Sequence, residues 1–224
     1  MSLRSIWDNE LEHGSDKWEP YFDVYERYLS KFIGKNPVVV EIGVQSGGSI
    51  EMWKKYFGVG STIIGIDVDP KVLQNKSDGV DIIIGDQGSP EFWDEFLQQY
   101  PNIDILIDDG GHHCFQQILT FEKVFPHLND GGVFICEDTH TSYQPFTGGS
   151  FRGENTFIEY SKRLVDYIHK DFIVGVTIAQ EKILEQLSCV NFYNSQIVFE
   201  KKTAPFNRVF SGKEKIENFL GIKL

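Results

Sequence analysis

From Leu106 to His113 the chain reads Leu-Ile-Asp-Asp-Gly-Gly-His-His, an apolar run that ends in two carboxylates, two glycines and two imidazoles. Carboxylates beside imidazoles are the groups that hold hard cations and move protons near neutral pH. Ile103, Ile105, Leu106 and Ile107 form a short run rich in β-branched residues, which suits a strand covered on both faces. Asp108, Asp109, His112 and His113 then sit at its carboxyl end, the edge at which open α/β sheets bind their ligands. A second carboxylate pair, Glu137 and Asp138, ends the next apolar run, Gly132 to Cys136. If the two strands are neighbours, the acidic clusters face one another across one site.

The elements that must position these groups follow a repeated pattern. Val38 to Val44 predicts a strand, followed by Gln45-Ser46-Gly47-Gly48-Ser49 and a helix over Ile50 to Phe57. Glycines at such a turn either admit a ligand to the backbone or serve tight packing, and both readings stand at this point. The spacing, Glu41-Ile-Gly43 and then Ser46, Gly47 and Gly48, is not the Gly-x-Gly-x-x-Gly of a dinucleotide fingerprint. A second strand, Thr62 to Ile66, ends in Asp67-Val68-Asp69-Pro70, and this places an acid about 20 residues past the glycines, where it can accept from ribose hydroxyls. Asp69 before Pro70 is better suited to capping the next helix. A third strand, Val80 to Ile84, ends in Gly85-Asp86-Gln87. Three consecutive strands with polar ends favour a nucleoside-sized ligand.

Helices are expected over Glu91 to Tyr100, Phe115 to Phe125 and Thr156 to Lys170, with Asp130-Gly131-Gly132 as the turn into the fifth strand. Late strands are expected near Phe172 to Ile178 and Ser188 to Glu200, the second alternating like an antiparallel strand. Strands alternating with helices call for a mostly parallel α/β sheet with helices on both faces. Thr139 to Gly153 breaks the rhythm, and a loop of that length reads as a lid over the site. Residues 1 to about 35 form a helical segment carrying Trp18, Tyr21, Phe22, Tyr25, Tyr28 and Phe32. That stripe covers the sheet edge or walls the site, and it offers a contact surface for a homo-oligomer. Residues after Lys201 receive no assignment.

The 224 residues, 41% hydrophobic, suit a single domain with a full core. A formal net charge of -12 disfavours nucleic acid and anionic membrane surfaces as partners. Cys114, Cys136 and Cys189 show no CxxC spacing, so a reducing, cytoplasmic setting is expected. No apolar run approaches the roughly 20 residues that span a bilayer.

Taken together, Glu41-Ile-Gly-Val-Gln-Ser-Gly-Gly48, Gly65-Ile-Asp-Val-Asp-Pro70, Gly85-Asp-Gln87, Asp108-Asp-Gly-Gly-His112 and Glu137-Asp-Thr-His-Thr-Ser-Tyr143 resemble the metal-dependent O-methyltransferases of the macrolide sugar-modifying type, with cephalosporin-tailoring relatives. His13-Gly-Ser-Asp-Lys-Trp18 and Asn191-Phe-Tyr-Asn-Ser-Gln-Ile-Val-Phe199 extend the likeness. The resemblance implies a class I methyltransferase fold, Rossmann-like, with an antiparallel last strand. It implies S-adenosylmethionine (SAM) bound around Glu41, Gly43, Ser46, Gly48, Asp67, Asp86, Gln87 and Asp108. It also implies Mg²⁺ held by Asp109, Glu137 and Asp138, with His112 as base and His113 or His140 next in line. Gly111 departs from the pattern, where relatives often carry Ser. The implied substrate is a sugar or glycosylated small molecule. A catechol-like diol is the alternative, because two adjacent hydroxyls chelate a metal in the same way. A nicotinamide-dependent oxidoreductase is disfavoured by the glycine spacing. The chemistry agrees: three carboxylates make a hard oxygen site suited to Mg²⁺, and an imidazole of ordinary pKa about 6.5 can take a hydroxyl proton near neutrality.

Overall fold

The computed structural model describes residues 2–76, 79–169, 172–174 and 186–202. Five strands, β1 (Val38–Ile42), β2 (Thr62–Asp67), β3 (Val80–Ile84), β4 (Ile103–Asp108) and β5 (Leu128–Cys136), run parallel. Two more, β6 (Leu187–Phe192) and β7 (Ile197–Lys201), form a hairpin whose β7 lies antiparallel to β5. The sheet order is β3-β2-β1-β4-β5-β7-β6. The order reverses between β1 and β4, so a crevice opens at their carboxyl ends. This is the mostly parallel, Rossmann-like α/β sheet that the sequence predicts.

Alternation along each strand divides the core between two faces. Val39, Ile63, Ile105, Ile107, Val133, Ile135 and Val198 pack beneath α1 (Leu3–Asn9), α2 (Tyr21–Leu29) and α3 (Gly48–Phe57). Val40, Ile64, Leu106, Phe134, Ile197 and Phe199 face the other way, toward α4 (Pro90–Gln99), α5 (Cys114–Val124) and α6 (Phe157–Ile168). The aromatic stripe of α2 thus covers a face of the sheet rather than its edge. Local chemistry sets the helix starts. Ser89 Oγ accepts from Phe92 N at 3.2 Å with Pro90 in the first turn, and Thr156 Oγ1 accepts from Glu159 N at 3.3 Å.

Three sequence expectations change. Ser188 to Glu200 is a hairpin, because Tyr193 to Gln196 make a turn closed by Tyr193 N donating to Gln196 O at 2.8 Å. A turn this short leaves the alternation on either side unbroken, which is why it reads as one strand. Asp130-Gly131-Gly132 lies inside β5, where Gly131 takes φ 78° and the pairing with β4 shifts register. It is a bulge within the strand rather than a turn before it. The strand expected near Phe172 to Ile178 falls mainly outside the described residues, and Phe172 to Val174 form none. Residues 139–153 fold into two 3₁₀ turns, Thr139–Tyr143 and Pro145–Thr147, cross-braced by Ser150 N to Ser142 O and Gly149 N to Gln144 O, both 2.9 Å. No helix among the described residues is long and apolar enough to cross a membrane.

Phe121 is fully buried, its ring 4.5 Å from Phe199 and 4.8 Å from Phe125 between centroids. Phe121→Ala is expected to destabilise the fold by about 3–5 kcal/mol in denaturant unfolding, from lost transfer energy plus a cavity between α5 and the sheet.

Candidate active site

Parallel register brings the polar strand ends level. Ile42 lies opposite Asp108, and Asp108 opposite Cys136, so Gly43, Asp109 and Glu137 leave the sheet together. Asp109 N donates to Ile42 O at 3.1 Å and Glu137 N to Asp108 O at 2.8 Å. Gly43 has φ 92°, and a Cβ there would overlap the carbonyl oxygen of Asp109. Packing of loop on loop thus requires a glycine at this position, which also lines the cavity described below.

Three non-glycine residues in left-handed conformation meet here: His112 at φ 56°, Asp138 at φ 50° and Ser195 at φ 65°. Such backbone costs about 1–3 kcal/mol per residue and persists only where its surroundings impose it. Thr141 Oγ1 lies 3.0 Å from the carbonyl oxygen of His112 and 2.7 Å from that of Asp138. The Tyr21 hydroxyl reaches Asp138 Oδ1 at 2.7 Å and the Ser195 carbonyl at 3.1 Å.

Four carboxylates converge, and most of their oxygens are already engaged. The Lys17 ammonium, its side chain 1% exposed, donates to Asp109 Oδ2 at 2.6 Å, Glu137 Oε2 at 2.9 Å and Glu41 Oε1 at 3.3 Å. Ser49 Oγ donates to Glu41 Oε2 at 2.7 Å, and the Tyr25 hydroxyl donates to Glu137 Oε1. Asp109 Oδ1 and Asp138 Oδ2 remain, 4.0 and 3.7 Å from His112 Nε2. Asp109, His112 and Asp138 can each offer one ligand atom within 4.8 Å of the others. Glu137 stands behind this cluster, fully buried. Burial pushes the Glu137 and Glu41 carboxyls above the ordinary range, and the Lys17 charge pulls both back. Burial also works against the charge of Lys17, but Glu137, Asp109 and Glu41 together outweigh it and hold the ammonium well above its usual pKa.

A cavity of about 720 Å³ opens beside the cluster, at the ends of β1 to β4. Gly43, Ser46, Asp67, Asp86, Gln87, Asp109, His112 and Asp138 line it; Glu41, Gly48, Asp108 and Glu137 do not. Several of the lining groups also brace the fold. Asp67 Oδ2 accepts from Val44 N at 2.9 Å and Gln45 N at 3.1 Å, which clamps the glycine loop. Gln87 Nε2 donates to Asp108 Oδ1 at 2.6 Å and Gln87 Oε1 accepts from Gly111 N at 3.1 Å, tying β3 to the Asp-Asp loop. Asp108 turns inward, and burial pushes its carboxyl up to about 7. Asp86 Oδ1 accepts from Gly88 N at 2.7 Å. His113 opens α5 as its first flanking residue. His140 Nδ1 lies 2.6 Å from Ser195 Oγ, and its ring stacks on Trp18 at 5.1 Å.

Tyr21 and Tyr25 belong to the aromatic stripe that walls the site in one of its two readings, and their hydroxyls reach Asp138 and Glu137, whereas Lys17 is a contact that the sequence does not single out. The signal was present for the tyrosines, whose four-residue spacing puts both on one face of α2. A lone lysine carries no such signal.

The fold is an α/β domain of the class I methyltransferase type, with an acidic cluster beside the cavity at the strand ends. No protein-family model matches the chain. It is 37% identical over 169 residues to the 8-demethyl-8-alpha-L-rhamnosyl tetracenomycin-C 2'-O-methyltransferase of Streptomyces olivaceus, covering 71% of this chain and 44% of that protein. It is 34% identical over 154 residues to the Mycinamicin VI 2''-O-methyltransferase of Micromonospora griseorubida, covering 64% and 38%. MycE methyltransferase from the mycinamycin biosynthetic pathway, solved in complex with Mg and SAH, superimposes with a TM-score of 0.79 at 25% identity over 97% of this chain and 59% of its own. A further MycE structure, with Mg, SAH and mycinamycin VI, gives 0.78. The chain is a homologue of the sugar-modifying O-methyltransferases of macrolide and tetracenomycin pathways. It spans less than half the length of these curated relatives.

Gly43→Ala is expected to cost more than about 1 kcal/mol of stability, because alanine is strained at this φ and meets the Asp109 carbonyl. Thermal melting reads this directly. A melting temperature equal to wild type would show that the two loops part without cost.

Proposed function

We propose that this chain is a SAM- and Mg²⁺-dependent O-methyltransferase acting on a hydroxyl of a sugar or glycosylated small molecule. The observation that carries the reading is the pair of carboxylate oxygens, Asp109 Oδ1 and Asp138 Oδ2, left uncapped beside His112 in the cavity wall. SAH is what SAM becomes on losing its methyl group, so its presence with Mg in the MycE structures supports both cofactors here. The relatives' names favour a sugar hydroxyl over a catechol.

The residues fit both groups. Two hard oxygens in reach of one another suit a divalent cation, with an imidazole beside them free to take a proton, and the cavity falls within the roughly 300–1,000 Å³ of small-molecule sites. His112 Nδ1 and Gln116 Oε1 are buried without a hydrogen-bond partner among the described residues, beside that cavity. When bound, SAM supplies an electrophilic methyl group and Mg²⁺ a charge that acidifies a substrate hydroxyl. Asp109 and Asp138 would hold the ion, while Glu137, the third acid expected there, adds charge from behind, engaged by Lys17 and Tyr25. His112 would accept the proton of the hydroxyl that receives the methyl group. Gly43 to Ser46 flank the methionine end of SAM, Asp67 its ribose, and Asp86 with Gln87 its adenine. Glu41, Gly48 and Asp108 support those loops from outside the cavity. Residues 139–153, with Tyr143, Phe146 and Phe151 exposed, act as the cover over the substrate. The free thiols of Cys114, Cys136 and Cys189 accord with a cytoplasmic enzyme.

Three measurements test the reading. EDTA should abolish methyl transfer to the sugar acceptor while calorimetry still detects SAM binding, and Mg²⁺ should restore transfer; full turnover in EDTA would overturn the metal role. Asp67→Ala should weaken SAM binding about tenfold or more, since both ribose bonds and the loop clamp are lost. His112→Ala should keep SAM and metal binding and lose about 10² to 10⁴ in rate. A wild-type rate in that variant moves the base elsewhere, with His113 and His140 the next candidates.

A further inference from the structure

The four acids at the site carry eight carboxylate oxygens, and the pattern of their partners is uneven. Lys17 takes one oxygen each from Glu41, Asp109 and Glu137; Ser49, Tyr25 and Tyr21 take one each from Glu41, Glu137 and Asp138. Asp109 is the acid shared between the two halves. Its Oδ2 meets the Lys17 ammonium at 2.6 Å, and its Oδ1 turns toward His112 and Asp138. A carboxylate bridging two positive centres is the arrangement of two-metal sites, whose ions sit about 3.5–4 Å apart. Here one of the two centres belongs to the chain.

We propose that Lys17 is the resident cation of the acid cluster: its ammonium takes the place that a second divalent ion would otherwise occupy, so the site accepts one metal, on the Asp109 Oδ1 and Asp138 side. Lys17 acts through Asp109 and Glu137 and is a positioning residue. Charge supports the assignment. Four carboxylates against one ammonium leave a deficit that one divalent ion nearly cancels, and a second would turn the cluster positive. Geometry supports it too, because the side chain is 1% exposed and has no solvent in which to place its charge elsewhere. A tethered ammonium also does not exchange, so Asp109 keeps its orientation whether or not the cavity holds metal.

The proposal rests on the metal reading given above, and counting Mn²⁺ separates the two. Mn²⁺ bound to the full chain is measured by electron paramagnetic resonance and by calorimetry. Wild type should bind about one ion with the spectrum of an isolated centre. Lys17→Ala should bind about two, with the exchange-coupled signature of a carboxylate-bridged pair, and Lys17→Arg should return the count to about one. If Lys17→Ala does not fold, Lys17→Ser refolded in millimolar Mn²⁺ keeps all four carboxylates charged, vacates the same space and should still bind about two, through Asp109 Oδ2 and Glu137 Oε2. Two ions in wild type would overturn the role of Lys17, as would a folded Lys17→Ala or Lys17→Ser that still binds one. No ion in wild type at millimolar Mn²⁺ would overturn the metal reading itself, and the inference with it.

Discussion

Everything at the acidic edge of the sheet depends on holding four carboxylates together, two of them, Glu41 and Glu137, out of water. An ion moved into the protein interior loses several kcal/mol of hydration, and like charges side by side add repulsion. The Lys17 ammonium answers both, since it contacts three of the acids and stays charged in their combined field. The tyrosine hydroxyls of α2 complete the work by donating to Glu137 and Asp138. Losing one member of such a set leaves a buried charge uncompensated, which costs more than the intact pair contributes. The N-terminal segment is therefore as much a part of the site as the strand ends.

The sheet makes that convergence possible. Reversal of strand order between β1 and β4 opens the crevice, and matched register delivers Gly43, Asp109 and Glu137 to one level. The antiparallel hairpin matters for a different reason. With β7 beside β5, the turn before it brings Ser195 against Tyr21 and His140, bracing the far side of Asp138. His112, Asp138 and Ser195 all hold left-handed backbone, and each is tied to a neighbour in another part of the chain. The strain at these three residues is thus maintained by bonds from α2 and from the turn after β5.

Much of the architecture was legible from one-dimensional pattern. Buried parallel strands read as apolar β-branched runs, and Val38 to Ile42 and Ile103 to Ile107 carry that signature because both faces of the sheet are covered there. Polar residues placed directly after such runs must emerge at one edge, which is why Asp67, Asp86, Asp109, His112 and Asp138 line one cavity. Departures arose where a local signal had two readings. The Tyr193 to Gln196 turn preserves alternation on both sides, and Asp130-Gly131-Gly132 satisfies a bulge as well as a turn.

Residue type and spacing by themselves determined the strand ends, the acids they carry and the edge at which those acids emerge, since each follows from hydrophobic period and chain direction. What those acids touch was decided only in three dimensions. Nothing near Asp108 tells it from Asp109, yet the pleat sends one inward to Gln87 and the other to Lys17 and the cavity. Lys17 lies far from its carboxylates along the chain, and pairing at that separation leaves no periodic trace. Its burial, and the division of the acids into a capped set and an open pair, come from the packing of α2 and the segment before it against the sheet.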